Sequence, residues 1–139
     1  MDITGLIFGH LFGDYLFQTR GMAWTKTAPG LKGFFACFRH CLLYATMVTI
    51  CLLNLPYSRE VSLKSILLLW LISFITHFPI DRWSLAKYWM KFLGRTPPAL
   101  RMELTTENLF NVIVYVVIDN TMHLYLMYSL IELLIPEIH

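Results

Sequence analysis

The chain has 139 residues, enough for one domain, and is 57% hydrophobic, 15% aromatic and only 14% charged, with a mean hydropathy of +0.58. Soluble domains carry about 25% charged residues, so the composition excludes an ordinary soluble domain and points to an integral membrane protein. The net charge of +2 is too small to argue for a nucleic-acid partner, and no repeat or low-complexity segment is present.

Hydropathy divides the chain into four apolar segments. The start, Met1 to Thr4, lacks a basic region and no small-residue cleavage site follows, so the first segment reads as retained structure. It runs from Ile3 to about Phe17, or on to Gln18 and Thr19. A span needs about 20 apolar residues, so this segment is expected to be thin or partly interfacial. It carries His10 and Asp14, with Gly9 and Gly13 leaving room for a close helix or for a substrate. The loop after it holds Arg20, Lys26 and Lys32 and no acid.

The second segment, 33–53, carries His40 and stops at the turn signal Asn54-Leu55-Pro56. All three cysteines, Cys37, Cys41 and Cys51, fall here. A disulfide across one helical turn has poor geometry. The thiols are either small buried hydrophobes, or Cys37 or Cys41 assists His40 as a soft ligand. Arg59, Glu60 and Lys64 follow in the second loop.

The third segment, 63–80, ends at His77, Pro79 and Asp81. Proline disrupts a helix and frees a carbonyl. Pro79 is a kink or the first turn of a new helix, and in the second case Asp81 is an interfacial acid beside Arg82. In the third loop Trp83, Tyr88, Trp89 and Phe92 mix with Lys87, Lys91 and Arg95, the pattern of an amphipathic helix at headgroup level. It serves as an anchor, or its cations draw an anionic headgroup or phosphate. Thr96-Pro97-Pro98 breaks it, and Arg101, Glu103 and Glu107 complete the loop.

The fourth segment, 109–135, carries Asp119, Asn120 and His123, with Asn111 two turns earlier, and ends at Pro136. Glu132 and Glu137 mark its end, and the terminal His139 has no assigned role. The expected fold is all-α: a single integral membrane domain over 1–139, a four-helix bundle with an amphipathic interfacial helix after the third span. Loops one and three carry the cations, so the positive-inside rule places them in the cytoplasm and both termini outside.

Seven groups of metal-ligand type thus lie in apolar segments: His10, Asp14, His40, His77, Asp81, Asp119 and His123. Six form three pairs at a spacing of four residues, about one helical turn, so each pair shares a face. Ionisable groups inside a bilayer are costly and usually line a cavity, relay protons or bind ions. A lone His–Asp pair can also simply neutralise itself, and a lone His40 can be a hydrogen-bonded core residue. The topology places all seven toward the inner leaflet, with helix four contributing from deepest.

Four imidazoles and three carboxylates exceed the needs of one tetrahedral zinc. They suit one or two divalent ions, zinc first, with manganese or iron as alternatives. In this reading all seven are ligands, Asp14 or Asp119 is the catalytic bridge or base, and Gln18 and Asn120 position substrate. No Ser-His-Asp set, Gly-rich phosphate loop or nucleotide motif is evident.

At these residues the chain resembles a family of small bacterial and phage integral membrane proteins, DUF3307, of unknown function. The resemblance rests on His-Leu-Phe-Gly-Asp-Tyr-Leu-Phe-Gln at 10–18, the His40 segment, His77-Phe-Pro-Ile-Asp81 and the Asp119 to His123 segment, and covers essentially the whole chain. It implies the bacterial inner membrane and supports the site positions, but supplies no reaction. A looser likeness is to small membrane-embedded metal-dependent hydrolases.

The functional expectation is a metal-dependent hydrolase at the cytoplasmic leaflet, acting on an anionic lipid or phosphate-containing substrate. Its partners are membrane lipids and a second copy of itself. Two alternatives stay open: a transporter or channel for metal ions or protons, and a non-enzymatic membrane regulator.

Overall fold

The computed structural model describes residues 3–53, 61–98 and 105–135, whose regular structure is entirely helical. The turn at Asn54-Leu55-Pro56, Arg59, Glu60, Arg101, Glu103, the Pro136 stop, Glu137 and His139 lie outside the described residues, as does the Glu107 side chain. In order the elements are α1 (Ile3–Leu11), a π-helical turn (Phe12–Leu16), α2 (Arg20–Thr25), α3 (Gly30–Leu53), α4 (Leu63–Trp83), α5 (Leu85–Phe92) and α6 (Thr106–Leu134).

Three helices are long and apolar enough to cross a membrane: Gly30–Leu53, Leu63–Trp83 and Asn108–Leu134. The first segment is not. Nine α-helical residues and a five-residue π turn reach about 20 Å, short of the ~30 Å hydrocarbon thickness. It also stops before Gln18 and Thr19. Thr19 is extended, and its side chain accepts from the Met22 N–H, starting α2 instead.

The long helices and α1 form a ring. α1 packs on α3 and α6, and α4 packs on α3 and α6. The diagonals are filled by side chains. One half of that interior is apolar: Leu6, Val48, Leu52, Leu69, Ile72, Met127, Ile131 and Ile135 form a continuous core, with Tyr44 at its edge. The α1–α3 approach depends on two glycines. A Cβ on Gly9 would lie 2.6 Å from Val48 Cα, and one on Gly13 2.6 Å from the Tyr44 ring, so both glycines serve close helix approach.

α4 begins at Ser62, whose hydroxyl accepts from the Ser65 N–H, and runs through Pro79 to Trp83. The proline therefore sits within the helix, and His77 and Asp81 keep a common face. The chain then breaks at Ser84, a non-glycine residue in the left-handed region (φ 49°, ψ 53°). Beyond it α5 buries Ala86 and Met90 and exposes Tyr88, Trp89, Lys91 and Phe92. That is the amphipathic helix expected after the third span. Residues 95–98, with Thr96-Pro97-Pro98, are not helical.

Candidate metal centre

Four side chains converge at one end of the bundle. The Nε2 atoms of His40 (α3) and His77 (α4) stand 2.9 Å apart. Asp14 Oδ1, from the π turn, is 3.1 Å from His40 Nε2 and 3.2 Å from His77 Nε2. Asp81 Oδ2, from α4, is 3.0 and 3.1 Å from the same two atoms. The whole donor set stays within 4.8 Å. Donors around a tetrahedral zinc with bonds near 2.0–2.1 Å stand about 3.3 Å apart. The set therefore fits one divalent ion. Both histidines are fully buried and the Asp81 side chain is 3% exposed. Two imidazole nitrogens and two carboxylate oxygens this close demand a cation among them, a proton or a metal.

The π turn explains how Asp14 arrives. Phe17 N–H donates to Phe12 O, five residues back. The extra residue in that turn shifts Asp14 from the strict one-face relation to His10. Asp14 Oδ1 turns to His40 and His77, while Oδ2 remains 3.5 Å from His10 Nδ1.

His10 is committed elsewhere. Its Nδ1 accepts from the Tyr44 hydroxyl at 2.9 Å, and its Nε2–H donates to Asn120 Oδ1. Asn120 in turn donates to the Tyr15 hydroxyl and to Val116 O, both at 2.8 Å. Both residues are thus used in holding the bundle around the donors. Gln18 does reach the group, its Nε2 standing 3.0 Å from His40 Nε2.

His123 lies at the rim. Its Nδ1–H donates to Asp119 O at 2.9 Å, which leaves the Nε2 lone pair free. That Nε2 is buried, has no hydrogen-bond partner among the described residues, and lies 4.0 Å from Asp81 Oδ1. The Asp119 carboxylate stands apart from the four donors, with Oδ2 3.8 Å from His123 Nδ1. Of the seven groups singled out in the sequence, Asp14, His40, His77 and Asp81 form the donor set, His123 adjoins it, and His10 and Asp119 flank it. Cys37 and Cys41 are buried with Sγ atoms 3.8 Å apart, and neither thiol joins the donors.

Two residues at the site escaped the sequence reading. Tyr44 stacks on His77, and it lies one turn from His40, a spacing that flags it in retrospect. Lys26 sends Nζ to within 2.7 Å of Asp81 Oδ2. Burial alone would pull its pKa down, but the charges of Asp81 and Asp14 outweigh burial and hold it above the ordinary lysine value. Lys26 is placed by α2, too short to show periodicity, and its carbonyl accepts from Arg82 Nη1 at 3.3 Å. A cavity of about 360 Å³ opens beside the centre, lined in part by Asp14, Tyr15, Gln18, Lys26, Tyr115 and Asp119.

A family model described as "Protein of unknown function (DUF3307)" matches residues 3–137. Neither the curated proteins nor the solved structures contain a match to the chain.

Proposed function

We propose that this chain, which belongs to the DUF3307 family, is a membrane-embedded, divalent-metal-dependent hydrolase. Its substrate is an anionic lipid or another phosphate-bearing amphiphile, taken at the end of the bundle where α2 and α5 gather. The observation that carries this reading is the group of Asp14, His40, His77 and Asp81 donors within 4.8 Å, beside an opening that admits a ligand.

A divalent ion there, zinc first, would supply Lewis acidity and an activated water. The chain's own residues do the rest. His40, His77, Asp14 and Asp81 hold the ion, and His123 Nε2 is one movement away from joining them. Tyr44 and Asn120 fix His10, whose ring packs beside Asp14. Asp119, at the opening and outside the donor set, is placed to take up a proton from water. Lys26 and Gln18 face the same opening and meet the substrate's anionic group. The positive-inside rule puts this end in the cytoplasm.

The apolar half of the bundle supports an enzyme over a conduit. Beyond the donors, Thr49, Ser73 and Thr76 return their hydroxyls to carbonyls of their own helices, so they offer no relay through the core.

The test is elemental analysis of detergent-purified protein together with chelator-sensitive release of phosphate or headgroup from anionic phospholipid micelles. About one equivalent of metal is expected, lost in Asp81→Asn along with turnover. Less than ~0.2 equivalents after metal-replete expression would overturn the reading, since preformed divalent sites retain their ions; the cluster would then be a proton-bridged ion pair.

A further inference from the structure

A second cavity, of about 670 Å³, lies against the first. The two share Thr27, Ser84 and Lys87 as lining residues. Its walls carry Arg82, Lys87 and Lys91, and the described residues lining it include no acid. None of these three cations forms an ion pair among the described residues. Arg82 is steadied by its bond to Lys26 O, and Lys87 and Lys91 stand one turn apart on one side of α5. Three cations with no acidic partner among the described residues, gathered in one concavity, focus potential on an anion, and a guanidinium beside ammoniums suits phosphate. The volume lies within the ~300–1,000 Å³ of ordinary ligand sites.

The other side of α5 is apolar. Leu85, Trp89 and Leu93 close with Pro79, Ile80 and α6 on an apolar groove of about 480 Å³. Exposed Tyr88, Trp89 and Phe92 join the two flanks of the helix. A basic cavity beside an apolar groove on one amphipathic helix matches an amphiphile rather than a free ion.

We propose that Arg82, Lys87 and Lys91 form a binding site for the phosphate headgroup of an anionic phospholipid, whose acyl chain lies along the α5–α6 groove. Binding stands independently of metal chemistry. The site's role in delivering substrate past Lys87 to Asp14 rests on the hydrolase reading.

The experiment uses the full chain in detergent micelles with chelator present, so that metal plays no part. Native mass spectrometry reads binding of dioctanoyl phosphatidylglycerol, dioctanoyl phosphatidylcholine and inorganic phosphate. Phosphatidylglycerol is expected to bind at least about tenfold more tightly than the zwitterionic lipid. Lys87→Gln/Lys91→Gln should weaken it about thirtyfold, the loss of two cations. Arg82→Lys, which keeps the charge but not the planar fork, should weaken it several-fold. Arg95→Gln removes an exposed charge outside the cavity lining and should leave affinity within about twofold. Equal binding of both lipids, equal losses in Arg95→Gln and the double variant, or free phosphate binding as tightly as phosphatidylglycerol would each overturn the proposal. The first two mean unspecific charge, the third a site for soluble phosphate. Metal content, measured separately, reports on the hydrolase reading alone.

Discussion

Tyr44 lies flat against His77, with ring centroids 3.6 Å apart and planes 24° from parallel, and its hydroxyl donates to His10 Nδ1. One α3 side chain thus sets the ring plane of a donor on α4 and the orientation of a brace on α1. Tyr44→Phe keeps the stack and orphans the His10 nitrogen. It should lower stability by about 1–3 kcal/mol, read as a lower Tm, while metal content stays near that of the parent. Tyr44→Ala removes the support of His77 and should weaken metal binding by about 10–100-fold.

Donor and brace should separate in a metal titration. His40→Ala and His77→Ala each remove one of four donors and are expected to abolish stoichiometric binding. His10→Gln leaves all four in place. It should weaken affinity by about 10–100-fold yet reach full stoichiometry at saturating metal. Loss of stoichiometry in His10→Gln would show that His10 is itself a ligand.

Among the described residues Lys26 is the side-chain cation nearest Asp81, with Nζ 2.7 Å from Oδ2. Removing one member of a buried pair costs about 3–5 kcal/mol. Lys26→Met should therefore lower the Tm of chelated protein. A metal ion then neutralises what lysine had neutralised, so the Tm difference between chelated and metal-replete protein should widen beyond that of the parent. Calorimetry with and without chelator reads both quantities, and an unchanged difference would show that lysine and metal do not share Asp81.

Gly13→Ala pushes a methyl group against the Tyr44 ring without touching any donor. Overpacking of this kind costs about 1–3 kcal/mol. Because the displaced ring is the one that carries His77, metal affinity should fall as well. Gly9→Ala meets the Val48 backbone instead and should destabilise at least as much. Its metal stoichiometry in the folded fraction should be intact.

The helical class and three long helices were legible because apolar runs of that length have no other use. Asp14, His40, His77 and Asp81 were legible because ionisable groups stand out in such runs. Their division of labour was not. His10 and Asp14 look equivalent at four-residue spacing, and only the π turn and the reach of Asn120 separate them. Asp119 and His123 form a similar pair, yet only the imidazole faces the donors, because its Nδ1–H is taken up by the Asp119 carbonyl. Lys26 read as a topological charge, since a six-residue helix leaves no periodic trace from which to aim it inward.

The widened turn at Phe12–Leu16 has an implication for how this segment tolerates change. Its surplus residue is what swings the carboxylate inward. Excising any position there other than Asp14 would let the backbone relax to ordinary winding and carry Asp14 round away from His40 and His77 with every donor still encoded. Chain length across this stretch is thus constrained as tightly as the identity of the groups it delivers.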